Sequence, residues 1–145
     1  MPQAQQKISN LTTYRVIYGD TDQMGVVYYA NFLRWFERGR TEFLRQIGLP
    51  YSIIEKAGYH FPVADVTCHY AKSAHYDDVV CIETELTEVR RVSLFFNYRI
   101  TRQSDDHVLA TGSTKHACLD RHGQVTRIPQ MLETALSAPK ASGAS

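Results

Sequence analysis

Two acidic residues, Asp20 and Asp22, lie in a short loop between a strand-like segment and an amphipathic helix. Gly25 follows them, and the helix is predicted to begin near residue 30. The first turn of a helix has peptide N–H groups without intrahelical partners, and these groups carry a partial positive charge. A carboxylate beside them can attack or deprotonate while the N–H groups hold a developing oxyanion, which is the chemistry of acyl transfer.

The same loop also has a purely structural interpretation. An Asp before a helix is often an N-cap, and a loop Gly often serves only the turn. The local pattern does not distinguish the two acids from each other either. Spacing alone therefore leaves both a catalytic and a capping interpretation open.

The wider sequence resembles the 4-hydroxybenzoyl-CoA thioesterase family and, within it, the YbgC-like acyl-CoA thioesterases. The resemblance is carried by residues 18–31, which read YGDTDQMGVVYYAN, and it covers residues 11–136. It continues through the charged helix, residues 59–63, residues 70–79 and Arg90–Arg91. It implies an α+β hotdog fold, in which a long central helix is wrapped by a curved antiparallel sheet of about five strands.

The resemblance also implies roles for residues of the acidic loop. Asp22 corresponds to the family's catalytic carboxylate, and the backbone N–H near Tyr29 to the group that polarises the thioester carbonyl. Many YbgC-like members carry His where this chain has Tyr29, so the resemblance does not fix the acyl preference. Asp20 is interpreted as loop structure. Whether Asp22 attacks the carbonyl or deprotonates a water stays open.

A second group of residues is predicted to bind substrate. Arg90 and Arg91 stand at a predicted strand junction, where the family holds the nucleotide end of coenzyme A. The planar fork of arginine suits phosphate oxygens, although a solvated turn has the same pattern. Ser93 and, as a phosphate contact, Lys72 are further candidates. Phe61, Pro62 and Val63 match a region of the family near the acyl pocket, but they could also be core strand residues.

Composition narrows the class of protein. The chain has 145 residues, enough for one domain, and 43% of them are hydrophobic. A net charge of +1 gives no bulk electrostatic case for binding nucleic acid. We expect no membrane span and no signal peptide, since neither pattern occurs. The cysteines Cys68, Cys81 and Cys118 suggest core residues in a reducing cytoplasm rather than disulfides or nucleophiles.

Hydrophobic periodicity predicts the elements that position these residues. A single domain is expected at 11–136, with flexible termini at 1–10 and 137–145. The predicted strands are 12–18, 59–72, 79–90, 92–103 and 107–120, and the predicted helices are 30–47, 51–57 and 129–136. Within the long helix, the expected apolar face has Leu33, Phe36, Phe43, Leu44 and Ile47 at three- and four-residue spacing, with Phe32 beside Leu33.

The six histidines show no metal-binding pattern. They form no HExxH motif and no zinc-finger spacing with the cysteines, so no metal or redox cofactor is expected. His69 and His116 fall in predicted strands and are interpreted as strand residues with ordinary hydrogen bonds.

The function implied by the resemblance is hydrolysis of an acyl or aroyl thioester by a cytoplasmic enzyme. Acyl-CoA is the expected substrate, and acyl carrier protein is a further candidate partner. A homodimer or homotetramer with sites at the subunit interface is expected. Two alternatives stay open: a hotdog hydratase or dehydratase, which usually needs a His absent from residues 18–31, and a non-catalytic module that binds acyl thioesters or acyl carrier protein.

Overall fold

The computed structural model describes residues 8–138, which form a five-stranded antiparallel sheet and three helices. The strands are β1 (Ser9–Arg15), β2 (Val63–Tyr70), β3 (Val79–Val89), β4 (Ser93–Arg102) and β5 (Val108–Ala117). The helices are α1 (Asn31–Gln46), α2 (Tyr51–Lys56) and α3 (Gln130–Ser137). The strand order is β1-β3-β4-β5-β2, and α1 packs against β1, β3 and β4. The curved sheet around one long helix confirms the predicted α+β hotdog fold.

The bounds of several elements differ from the predicted ones. β1 begins at Ser9, so residues 9 and 10 pair with β3 instead of belonging to a flexible N-terminal segment. β2 begins only at Val63, directly after Pro62, which has no N–H to donate to a strand ladder. At the other end, Ser137 belongs to α3 instead of to a flexible C-terminal segment. Residues 1–7 and 139–145 of the predicted flexible termini lie outside the described residues.

The buried stripe of α1 is rotated relative to the predicted one. Leu33 is 38% exposed, whereas its neighbour Phe32 is 2% exposed, so the expectation that Leu33 faces the core was wrong. Phe32 is held by aromatic contacts, with ring centroids 4.6 Å from Trp35 and 5.3 Å from Tyr70. Because Tyr70 comes from β2, a contact between distant segments decides which of the two adjacent residues is buried.

Close packing of α1 on β3 depends on Gly39. A Cβ at this position would lie 2.1 Å from Thr84 Oγ1 and 3.0 Å from Ile82 Cγ2. Thr84 is buried, and its hydroxyl has no hydrogen-bond partner among the described residues. The helix therefore approaches the sheet at a distance that only a residue without a side chain allows.

The two edges of the sheet are β1 and β2. The sequence of β3 predicts one buried face, because Val80, Ile82, Thr84 and Leu86 alternate with Cys81, Glu83 and Glu85. Val80, Ile82 and Thr84 are buried on the side of the helix, and Leu86 is partly buried. β2 differs, because nearly all of its side chains are exposed on both faces. No helix among residues 8–138 is both long and apolar enough to cross a membrane.

Candidate active site

The two acids of the loop before α1 have different environments. Asp20 is buried, and its Oδ2 accepts hydrogen bonds from the Tyr14 hydroxyl at 2.7 Å and the Ile17 N–H at 3.0 Å. Its carbonyl oxygen accepts from Tyr28 N–H and Asn31 Nδ2, both at 2.8 Å. Asp20 thus joins β1, the loop and the start of α1, in agreement with its interpretation as loop structure.

Asp22 lies in the tight turn of the same loop and is only half-buried. Its Oδ1 accepts from Met24 N–H at 2.8 Å, and its carbonyl oxygen accepts from Gly25 N–H at 3.0 Å. Gly25 has φ +80°, a conformation that L-residues with a side chain rarely adopt. Oδ2 of Asp22 accepts no hydrogen bond from residues 8–138, so one carboxylate oxygen is open for chemistry.

The helix start presents two free N–H groups. The N–H groups of Asn31 and Phe32 bond back to the carbonyl oxygens of Tyr28 and Tyr29, at 2.9 and 3.2 Å. These bonds occupy donors that are usually open at a helix start. Within the described chain, the N–H groups of Tyr29 and Ala30 have no acceptor. The free donors therefore belong to the two residues directly before α1, next to the positive end of the helix dipole.

A group of tyrosines surrounds these donors. The Tyr28 and Tyr29 rings are tilted against each other with centroids 4.8 Å apart. The side-chain hydrogen bond between the two residues raises the pKa of the Tyr28 phenol, and the negative charge of Asp22 adds to this effect. Tyr70, at the end of β2, donates from its hydroxyl to the Tyr29 carbonyl oxygen at 2.9 Å. Sequence reasoning missed Tyr28 and Tyr70 as site residues, although both lie in segments that carry the family resemblance.

Lys72 is at the same end of the sheet as Asp22. It follows Tyr70, and its Nζ lies 3.3 Å from Nδ1 of His107. Both side chains are exposed. The structure thus brings Asp22, Tyr29 and Lys72 to one end of β2.

The predicted acyl-pocket residues lie at the opposite end of β2. Phe61 is fixed on both sides of its backbone: its N–H donates to the Tyr51 hydroxyl at 3.1 Å, and its carbonyl oxygen lies 3.0 Å from Nδ1 of His116. The Pro62 carbonyl accepts from Ala117 N–H at 3.3 Å. Val63 then begins the strand, with its side chain half-exposed.

The hairpin between β3 and β4 carries the predicted phosphate-binding residues. Arg90 N–H donates to the Ser93 carbonyl at 2.9 Å, which closes the turn. The Arg90 guanidinium forms an ion pair with Glu88 and lies 5.0 Å from the centroid of the Phe95 ring. Arg91 is exposed, whereas Ser93 is buried. Because Ser93 pairs with Ala117, this hairpin is at the Phe61 end of the sheet.

A single copy of the protein therefore does not bring all the predicted site residues together. The eight residues of β2 separate Val63 from Tyr70 by about 23 Å, at about 3.3 Å per residue. Asp22 and Tyr29 lie beyond one end, and Phe61 and Arg90 lie beyond the other. The candidate site consists of two halves at opposite ends of an exposed edge strand.

Residues 8–138 offer little support for a metal site or a cysteine nucleophile. No group of three or more His, Cys, Asp or Glu side chains is close enough to share a metal ion. The three cysteines are unpaired, and burial raises the pKa of the Cys118 thiol to about 11. A thiol with a raised pKa is a poor nucleophile near neutral pH, which agrees with a core role for Cys118.

The chain is similar to several thioesterases. The thioesterase-like superfamily model matches residues 16–136. The acyl-CoA thioesterase YbgC of Haemophilus influenzae is 37% identical over 107 residues, which are 73% of this chain and 77% of that protein. The 4-hydroxybenzoyl-CoA thioesterase of a Pseudomonas strain is 30% identical over 91 residues, 61% of this chain and 64% of that protein. The DHNA-CoA thioesterase structure from Staphylococcus aureus has a TM-score of 0.84 at 28% identity, covering 89% of each chain.

The matched region contains the parts from which the candidate site is built. Residues 16–136 include the Asp22 loop, α1 and four of the five strands, β1 being the exception. The family predicted from residues 18–31 is the one that the independent match identifies. The chain therefore belongs to the thioesterase-like superfamily.

Proposed function

We propose that the protein is an acyl-CoA thioesterase, which hydrolyses an acyl or aroyl thioester to the free acid and coenzyme A. The observation that carries the proposal is the open carboxylate oxygen of Asp22 in the same loop as the free N–H groups of Tyr29 and Ala30. A carboxylate and two oxyanion donors are what thioester hydrolysis requires. Membership of the thioesterase-like superfamily supports this reading of the loop.

In the proposed reaction, the thioester carbonyl oxygen accepts hydrogen bonds from Tyr29 N–H and Ala30 N–H. Asp22 then acts by one of two routes. It attacks the carbonyl carbon, expels the coenzyme A thiolate and forms a mixed anhydride, which water hydrolyses to the acid and free Asp22. Alternatively, it removes a proton from a water that attacks the carbonyl directly. In either route, negative charge develops on the carbonyl oxygen, where the two N–H groups and the helix dipole stabilise it.

The two routes differ in a covalent intermediate. In a single turnover that is quenched by acid, nucleophilic attack leaves the acyl group on the peptide that contains Asp22. Mass spectrometry of that peptide detects the added acyl mass. Its absence over the full time course of product formation supports the water route.

We further propose that two copies complete the site by pairing through β2. The strand is an unpaired edge with exposed apolar side chains, Val63 and Val66 at 46% and Tyr70 at 41%. Such an edge is a template for a further strand. In an antiparallel pair related by a two-fold axis, the Val63 end of one strand lies beside the Tyr70 end of the other. Phe61, Pro62 and Val63 of one copy would then flank the acyl group held at Asp22 of the other.

The same pairing would bring basic residues of both copies toward the coenzyme A phosphates. Arg90 and Arg91 would approach from the hairpin of one copy and Lys72 from the other. Ser93, which is buried, would support the hairpin through its bond to Arg90. A dimer, or a tetramer built from two dimers, follows from this arrangement. The three unpaired cysteines are consistent with a reducing cytoplasm as the place of action.

Release of free thiol from a panel of acyl-CoA and aroyl-CoA substrates tests the function. Asp22→Asn keeps the shape of the side chain and removes its charge, so turnover is expected to fall by about 10³-fold or more. Asp106→Asn is the matched control, because Asp106 is exposed in a turn with φ +59°, which Asn adopts readily. Near-normal turnover by folded Asp22→Asn protein would remove the basis for the assignment.

The same panel separates the rival functions. A hydratase converts enoyl-CoA to 3-hydroxyacyl-CoA and releases no thiol. A binding module retains acyl-CoA without turnover. Either result with the wild-type protein would replace the proposed function.

A further inference from the structure

Four buried or partly buried side chains form a continuous hydrogen-bonded chain through the core. Nη1 of Arg40, on α1, lies 3.2 Å from the Tyr98 hydroxyl. Oη of Tyr98 lies 2.6 Å from Oγ1 of Thr114, which lies 2.8 Å from Nε2 of His116. Nδ1 of His116 lies 3.0 Å from the Phe61 carbonyl oxygen. The chain therefore connects α1, β4 and β5 to the segment before β2.

The end groups determine the direction of every bond in this chain. The Phe61 carbonyl can only accept, so Nδ1 of His116 carries a proton, and in the neutral ring Nε2 accepts from the Thr114 hydroxyl. Thr114 Oγ1 then accepts from the Tyr98 O–H. Arginine can only donate, so it donates to the Tyr98 oxygen. Each donor has one acceptor, and all the hydrogen bonds run in the same donor-to-acceptor direction from Arg40 to Phe61.

The chain also requires a neutral His116. A second proton on Nε2 would face the Thr114 hydroxyl and turn that hydroxyl toward Tyr98. Tyr98 would then lack an acceptor for its own proton, because its other neighbour is the Arg40 guanidinium. Burial, reinforced by the Arg40 charge, lowers the pKa of His116 to about 4, in agreement with this arrangement.

We infer that His116, held by Thr114, Tyr98 and Arg40, positions the Phe61 carbonyl and thereby sets the acyl-group selectivity of the site. This inference rests on the proposed function, in which residues 61–63 flank the acyl group. His116 is a positioning residue, because its contact is with the Phe61 backbone and no contact with substrate is required.

The backbone explains how one hydrogen bond could have this effect. The Phe61 carbonyl belongs to the peptide that leads into Pro62, whose ring fixes φ. The orientation of that peptide plane therefore determines the direction in which the chain enters β2. Tyr51 holds the Phe61 N–H at 3.1 Å on the other side. If the His116 bond is lost, the peptide can rotate, and the walls formed by Phe61 and Val63 move with it.

Two isosteric substitutions separate the two bonds of His116. The amide N–H of Asn can replace Nδ1–H, so His116→Asn retains the bond to Phe61 and loses the one to Thr114. The amide oxygen of Gln can replace Nε2, so His116→Gln retains Thr114 and loses Phe61. Exposed His122 provides the matched controls, His122→Asn and His122→Gln.

The measured quantity is the ratio of kcat/KM for benzoyl-CoA to that for butyryl-CoA. In His116→Gln, we expect the wild-type ratio to move toward unity by about tenfold, the size typical of a reshaped apolar pocket. In His116→Asn, it should stay within about threefold of wild type, less than one such pocket change. Tyr98→Phe, which leaves the Thr114–His116–Phe61 part intact, should also keep the ratio. Thermal unfolding of each variant is recorded in parallel.

The possible outcomes are distinct. Equal shifts in His116→Asn and His116→Gln, or shifts that follow the loss in melting temperature, show a purely structural role and overturn the inference. An unchanged ratio in folded His116→Gln protein overturns it as well. If His116→Gln does not fold, His116→Leu, which cannot donate to the Phe61 carbonyl either, must move the ratio toward unity, or the inference fails. A wild-type protein without activity on any acyl-CoA contradicts the proposed function itself, whatever the variants do.

Discussion

Mild acidification is expected to destabilise this protein through His116. The residue is 2% exposed, and its pKa is lowered from 6.5 to about 4 in the folded state. The unfolded state therefore binds more protons than the folded state between these two values, so stability rises with pH across this range. The contribution is fully present above pH 6.5 and is lost as the pH falls toward about 4.

The size of this effect follows from the two pKa values. A difference from 6.5 to about 4 corresponds to about 3 kcal/mol of unfolding free energy. This is a large part of the stability of a small domain, which is about 5 to 15 kcal/mol. Urea unfolding between about pH 7 and about pH 4, at fixed protein concentration, measures it.

His116→Gln isolates this contribution from that of the carboxylates. Gln does not titrate, so the variant should lose about 3 kcal/mol less than the wild type over the same range. His122→Gln, at an exposed position, should follow the wild-type curve. Parallel curves for the wild type and His116→Gln would refute the reasoning that the hydrogen-bonded chain keeps His116 neutral.

Three further predictions concern packing, substrate binding and assembly. Gly39→Ala should lower the free energy of unfolding, measured in urea, by about 1–3 kcal/mol, although Ala has the better helix propensity. Adding Thr84→Ala, which removes the clashing hydroxyl, should restore part of this free energy. Replacing both Arg90 and Arg91 by Ala should raise KM for acyl-CoA, a defect absent with a truncated thioester without phosphates. The KM of the wild-type protein for acyl-CoA should also rise with salt, because exposed ion pairs are screened. A large loss of kcat in the double variant with the truncated thioester would contradict a phosphate-binding role for Arg90 and Arg91. Val66→Lys at the β2 edge should give inactive particles of 16.6 kDa by light scattering, and an active dimer would argue against pairing through β2.

The local order of the elements and the acidic loop could be predicted from sequence. The alternation Val80, Ile82 and Thr84 predicts one buried face of β3, and the helix bounds differ from the predicted ones by only a residue. These features depend on neighbours within a few positions, so periodicity and turn residues are sufficient to reveal them. The family resemblance in residues 18–31 also separated Asp22 from Asp20, which spacing alone did not.

The burial of particular side chains required the tertiary structure. The sequence pattern placed Leu33 in the core, but contacts with Trp35 and Tyr70 bury Phe32 instead. Asp20 is fixed by Tyr14 from β1. In each case the deciding partner comes from a different element or turn, and its distance cannot be read from periodicity.

Local sequence patterns and the family resemblance predicted the set of elements, the family and the candidate residues of the site. Only the tertiary structure placed those residues at two ends of an edge strand, about 23 Å apart. Only the tertiary structure, likewise, joined Arg40, Tyr98, Thr114 and His116 into one chain that ends at Phe61. Both placements have the same cause. Strand pairing and buried hydrogen bonds join residues that are far apart in sequence, and their geometry is fixed only when the whole sheet closes around the helix.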